Sequence, residues 1–282
     1  MKAPLRVTVL VENTASGRDT LGEHGLAFWI EAGSARVLFD TGQSPKVLFH
    51  NADRLGIDLA TTDAVVLSHG HYDHTGGLGE VLDSAKGTRA FLHPGAFFRR
   101  FSRHRNGTVH DVGMPPGIDE EFLKKRTSSV TFTHGVTPIT GRIWVTGEVP
   151  RLNPFEDTGG EFFLDRACEE RDPIVDDQAL FFDTEDGVVL ILGCAHAGAV
   201  NTMRYVQKFT SGRPIHAVMG GLHLINASDD RLDQTVETFR EFGPGLLAPA
   251  HCTGTSAQSR LWSEFPGQCK PCHVGSRFDF SV

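Results

Sequence analysis

The sequence predicts a mixed α/β chain in which two stacked β-sheets carry helices on their outer faces. Three observations lead there: strand-like runs crowd the first third, a second set starts at Val130, and each half ends by alternating strand with helix. The first runs are Leu5–Val11, Leu26–Glu31, Ala35–Asp40, Ala64–Leu67 and Arg89–His93. One helix interrupts them, Ser44–Leu55. Its N-cap is Ser44, Pro45 takes the first helical position, and Gly56 stops it. The second set comprises Val130–Thr133, Arg142–Thr146, Ala179–Asp183, Val188–Leu192, Ile215–Met219 and Leu246–Ala248. Helices are expected between the last three, at Ala199–Phe209 and Arg231–Phe242.

A chain of 282 residues can bury a sizeable core, and no Pro/Gly/Ser linker or repeat divides it. Residues 1–282 therefore read as one domain, with a lid or insert near 94–128. Within that insert, His93 to Arg105 interleaves aromatics with arginines. It reads either as an amphipathic helix with a solvated basic face or as a lid that stacks a heterocycle and holds a phosphate. A net charge of −8 argues against nucleic acid as a partner, because a phosphate backbone demands a basic face. Lys2 and Arg6 precede an apolar run, Val7 to Val11, that Glu12 cuts short. That run is too brief for a signal segment or membrane span, so cytoplasmic residence is the expectation. Five cysteines do not suggest a disulfide framework. Cys269-Lys270-Pro271-Cys272-His273 has the spacing of covalent haem attachment, yet nothing around it packs a haem, and a redox-sensitive pair or an incidental tail is the expected reading.

The densest chemistry lies in Ser68-His69-Gly70-His71-Tyr72-Asp73-His74-Thr75-Gly76-Gly77-Leu78, directly after the run Ala64–Leu67. Four metal-competent side chains within six residues form a strand-end loop, and such a loop lowers the entropic cost of gathering ligands. Histidines at i and i+2 can grip one ion while the Asp-His pair grips a second, so that two ions clamp one reacting group. A polar surface loop that happens to be rich in histidine is the competing reading, and the local density argues against it. Three later histidines, His196, His223 and His251, each follow an apolar strand and sit among Gly, Pro or small residues. Alone, each would read as a structural histidine; beside the loop, they read as its distal partners.

The pattern H-x-H-x-D-H after an apolar strand resembles the metallo-β-lactamase superfamily. Leu10–Thr14, Glu23–Leu26, Leu38–Gly42, Gly193–Gly198, Gly220–Leu224 and Pro249–Gly254 resemble one branch of it, the dihydropterin ribofuranosylaminobenzene phosphate synthases. The resemblance implies an αββα four-layer sandwich with two mixed β-sheets and a centre of two divalent ions, zinc foremost, with manganese and iron as alternatives. It assigns His69 and His71 to the first ion and Asp73, His74 and His251 to the second, and His196 is expected as the remaining protein ligand. Many superfamily members place a bridging aspartate where this chain has Leu192-Gly193-Cys194, so Cys194, His196 or a water must take that role. Asp73 is expected to orient the nucleophile and His223 to protonate the leaving group or meet an oxyanion. Asp40 is expected to orient a ligand histidine from behind, or to serve only as a turn residue. Asn13 and His24 are expected to line the pocket, and Arg151 to meet an anion. The implied activity is hydrolysis of a small anionic substrate, phosphorylated and pterin-like or a simple phosphoester, by metal-activated hydroxide. The alternatives are an iron-dependent oxidoreductase or dioxygenase, a lactone or thioester hydrolase, and a metal-binding sensor without catalysis. A homo-oligomer is left open.

Overall fold

The computed structural model describes residues 5–104 and 106–282; Lys2 and Arg105, which entered the readings above, lie outside the described residues. The first sheet has seven strands in the order Arg277–Phe280, Leu5–Val11, Ala27–Ala32, Ala35–Phe39, Ala64–Val66, Arg89–Leu92 and Ser129–Phe132. Its first four pair antiparallel and its last four parallel. The second sheet has six, Leu246–Ala250, Ile215–Gly221, Gly187–Leu192, Ala179–Thr184, Ile143–Val145 and Thr137–Thr140. Its first three are parallel and the rest antiparallel, so both sheets are mixed.

Side-chain alternation along each strand builds the layers. Phe28, Ile30, Val37 and Phe39 point inward to meet Leu180, Phe182, Val189 and Ile191 of the opposite sheet. Trp29 and Leu38 point outward, onto Leu48 and Ala52 of the helix Pro45–Leu55 and Val81 and Leu82 of Leu78–Ser84. On the far side Phe181 and Leu190 pack under Val200 and Met203 of Ala199–Phe209 and Val236 and Phe239 of Asp229–Phe242. Helix, sheet, sheet, helix is the αββα sandwich the sequence leads one to expect. Local signals held where they were strongest. The Ser44 hydroxyl accepts from the Val47 amide, Pro45 opens the helix, and Gly56 closes it at φ 71°. The helix expected from Arg231 begins at Asp229, capped by Ser228.

Two expectations are corrected. The described part of the arginine-rich stretch, His93 to His104, is not an amphipathic helix: after a short 3₁₀ turn, Pro94–Phe97, it becomes the strand Phe101–Arg103. That strand joins Val109–Asp111 and Phe162–Phe163 in a small antiparallel third sheet. Nor are its described arginines unpaired. Arg100 is fully buried and donates to Asp172, to Asp176 and to the Gly95 carbonyl, while Arg99 pairs with Asp111 and Arg103 with Glu161. Secondly, Cys269 and Cys272 are not a facing pair: Cys269 packs under the outer helices of the second sheet and Cys272 in the core between the sheets. No helix among the described residues is long and apolar enough to cross a membrane.

Candidate metal centre

Apart from His24, which precedes the strand Ala27–Ala32, the candidate ligands leave the C-terminal ends of strands, and both sheets contribute. Asp40 and the loop from Ser68 to Thr75 follow strands of the first sheet; Cys194, His196, His223 and His251 follow strands of the second. At these exits the backbone turns sharply. Asp40, Ala195, His223 and His251 all adopt positive φ, at 60°, 55°, 46° and 51°, a conformation that costs non-glycine residues about 1–3 kcal/mol and persists where surrounding contacts enforce it. Gly193 shows how tightly the exits approach. A Cβ there would lie 2.1 Å from the Ser68 hydroxyl and 3.2 Å from the Asp40 carboxylate.

The imidazoles fall into a common orientation. His74 Nδ1 donates to Asp40 Oδ2 at 2.7 Å, His251 Nδ1 to Asn13 Oδ1 at 2.8 Å, and His196 Nδ1 to the Thr158 carbonyl at 2.8 Å. The Ser68 hydroxyl donates to Asp40 and so accepts from His69 Nδ1, at 2.9 Å. In each of the four Nδ1 is the donor and Nε2 is the atom that faces forward, as an acceptor behind a ligand histidine dictates. His71 is the reverse case: its Nδ1 faces His69 Nε2 at 2.9 Å. The Nε2 atoms of His71 and His196 are buried without a hydrogen-bond partner.

Two groups of donors result. His69, His71 and His196 cluster with ring centroids 4.5 to 5.0 Å apart. Around Asp73, whose Oδ2 lies 3.7 Å from His74 Nε2 and 3.2 Å from His251 Nε2, gather His74, His251 and the exposed His24, also at 3.2 Å. Cys194 stands between the groups, its Sγ 3.2 Å from His74 Nε2. Burial holds His69, His71 and His196 well below the usual imidazole value, so they remain neutral donors. Burial also pulls on His74, but the Asp73 and Asp40 carboxylates outweigh it and lift that residue to about 9. Burial pushes the Cys194 thiol up, which keeps its proton in place until a cation displaces it. A cluster of buried, neutral imidazoles, two of them with an unpartnered Nε2, next to an ionised carboxylate and a thiol, fits divalent cations.

His223 sits at the edge of the first group, its ring 4.3 Å from that of His196 and its Nδ1 without a partner. It lines a cleft of about 650 Å³ with Ser102, Arg103, His104, Asn106 and Phe162. Phe162, from the small third sheet, roofs the cluster, with ring centroids 5.1 Å from His71 and 5.2 Å from His196. Arg151 is a correction. Its guanidinium donates to the carbonyls of His196, Pro173 and Ile174, which ties down the His196 loop and leaves it committed to backbone instead of an anion. Asn13 is spent on His251 rather than on a pocket wall. Sequence reasoning missed Glu12 and Asp177. The buried Glu12 carboxylate accepts the His251 amide at 2.7 Å, and a lone acid ending an apolar strand was its signal. Asp177 accepts the Ala197 amide at 2.8 Å, and burial raises it to about 6.

The metallo-β-lactamase superfamily model matches residues 21–149. A solved structure, Tm1679, described as a metal-dependent hydrolase of the β-lactamase superfamily, is similar at TM-score 0.83 and 32% identity, covering 99% of this chain and 100% of that one. The chain belongs to the metallo-β-lactamase superfamily. Within it, the chain is 29% identical over 98% of its length to the 7,8-dihydropterin-6-methyl-4-(β-D-ribofuranosyl)-aminobenzene-5′-phosphate synthase of Methanocaldococcus jannaschii, 97% of which is covered. It is also 32% identical, over 90% of its length and 93% of the other, to the uncharacterized protein MJ0448 of the same organism.

Proposed function

We propose that the chain is a dinuclear metallohydrolase of a small anionic, phosphorylated substrate. In this reading His69, His71 and His196 hold one ion, and Asp73, His74 and His251 hold the other. The observation that carries it is the shared orientation of four histidines, each backed at Nδ1 by an oxygen or hydroxyl and presenting Nε2 to one interior space. A structural histidine has no need of a bare, buried Nε2, whereas a metal ligand requires one, and the Nε2 atoms of His71 and His196 are of that kind. When bound, divalent ions supply the Lewis acidity that ionises water near neutral pH and polarises a phosphoryl or carbonyl oxygen.

The chain's own residues supply the rest. Asp73 Oδ2 accepts hydrogen bonds from its surroundings and is positioned to orient the attacking water. His223 borders both the histidine cluster and the cleft, so its ring is placed to give a proton to a leaving group held there. The cleft has the volume of a small-molecule site, and Ser102, His104 and Asn106 offer donors to phosphate oxygens. The name of the Methanocaldococcus relative, a phosphate ester with a pterin ring, supports the same substrate class, and Phe162 offers that ring a face.

Two measurements test the reading. Purified protein should carry two equivalents of metal per chain and turn over a chromogenic phosphomonoester or phosphodiester. The variant His223→Ala should lose kcat by about 10²- to 10⁴-fold with metal content unchanged. Tightly bound metal without turnover across ester, lactone and phosphoester panels would overturn the hydrolase, and iron with oxygen consumption would replace it with redox chemistry.

A further inference from the structure

The geometry points to Cys194 as the donor shared by the two ions, a thiolate in the place of a bridging carboxylate. This rests on the dinuclear reading above. The Cys194 sulfur lies within 4.8 Å of ligand atoms of His69 and His196, and equally of ligand atoms of His74 and His251. Cys194 thus belongs to both groups of donors. It is 3% exposed and stands directly after Gly193, the residue whose missing Cβ lets the second sheet close on Ser68 and Asp40. The left-handed turn at Ala195 follows, so that Cys194 and His196 both face the cluster on either side of it.

The neighbours that might compete are otherwise engaged. Cys252 Sγ is directed at the Cys194 carbonyl at 3.6 Å and groups only with Cys194 and His223 among the described residues. Asp177 binds the Ala197 amide. Asp73 belongs to the second group alone.

A thiolate changes what the centre selects. It offers one soft donor atom where a carboxylate offers two hard ones, which favours zinc, cobalt and ferrous iron over magnesium or manganese. On metal uptake the sulfur's proton passes to solvent and its lone pairs face both ions.

Cobalt(II) added to chelator-stripped protein tests this, because cobalt bound to thiolate shows a near-ultraviolet charge-transfer band that nitrogen and oxygen donors do not give; for a shared sulfur the band should grow with each of the two equivalents, and growth with one equivalent alone would overturn the sharing. The band should appear in the native chain and in Cys252→Ser, and vanish in Cys194→Ser. Cys194→Asp should bind two equivalents of cobalt without the band. Two equivalents with no band in the native chain, or a band that survives in Cys194→Ser, would overturn the shared thiolate and leave the dinuclear centre standing. Fewer than two equivalents in the native chain would overturn both.

Discussion

Asp40 illustrates how single residues set the chemistry of this centre. Its buried carboxylate accepts the Ser68 amide at 2.7 Å, the Ser68 hydroxyl at 2.6 Å and His74 Nδ1 at 2.7 Å. Asparagine would fit the same left-handed backbone, but one of its two positions is a donor. With its carbonyl kept on Ser68, its amide would face His74 Nδ1 and push the imidazole proton to Nε2, the atom meant for metal. Asp40→Asn should therefore weaken binding of one ion by about 10- to 100-fold. Competition with a chromogenic chelator measures this, and an unchanged second affinity would show that Asp40 is only a turn residue. The proposed ligands of the first loop stand out in the sequence because their spacing is local: His69, His71, Asp73 and His74 announce one another within six residues. The supports of His251 do not. Asn13 lies 238 residues from His251 and Glu12 lies 239, and no period in the sequence links them.

At the scale of elements, the arginine-rich stretch shows why composition misled. Alternating aromatics and arginines suit an amphipathic helix, yet Arg100 is drawn inward by two carboxylates 72 and 76 residues away, and those partners decide the conformation. Asp176 also accepts the amide of Gly70, between His69 and His71, at 2.8 Å. A Cβ at Gly70 would come 2.1 Å from the Ala96 carbonyl, so the 3₁₀ turn presses on the same loop. The buried ion cluster thus holds the loop that carries His69 and His71. Removing the guanidinium leaves two carboxylates buried without a counter-charge, which costs about 3–5 kcal/mol. Arg100→Ala should lose that much in denaturant unfolding and also loosen metal binding by the first histidines. A loss below about 1 kcal/mol would mean that water reaches Asp172 and Asp176. The third sheet escaped the sequence for a related reason: its strands are two or three residues long, and the pairing of Phe162 with Ser102 spans sixty positions.

For the whole molecule, the layer order followed from two strand-rich halves that each end by alternating strand with helix and from the superfamily resemblance, whereas the closing strand Arg277–Phe280 did not. Four residues in a tail carry too little pattern, although the strand pairs with Leu5–Val11 and completes the first sheet. The consequence of the architecture is that the proposed ligands span the seam: His69, His71, Asp73 and His74 hang from the first sheet, Cys194, His196 and His251 from the second. Ions bound there would stitch the sheets together, in addition to the apolar contacts of Phe39, Leu180 and Ile191 between them. Without ions the same seam holds several polar groups that lack partners, His71 Nε2 and His196 Nε2 included, and left-handed turns that the cations no longer help to enforce. A ligand bound only by the folded state at a thousand times its dissociation constant adds about 4 kcal/mol. In a chain of this size that corresponds to a rise in Tm of roughly 10 °C. Chelation should lower Tm by that order, and Tm should climb with free zinc concentration until the seam is saturated. Because the ligands belong to both sheets, the shift should move one cooperative transition instead of splitting it into two. An identical melting curve with and without chelator would show that no ion bridges the sheets.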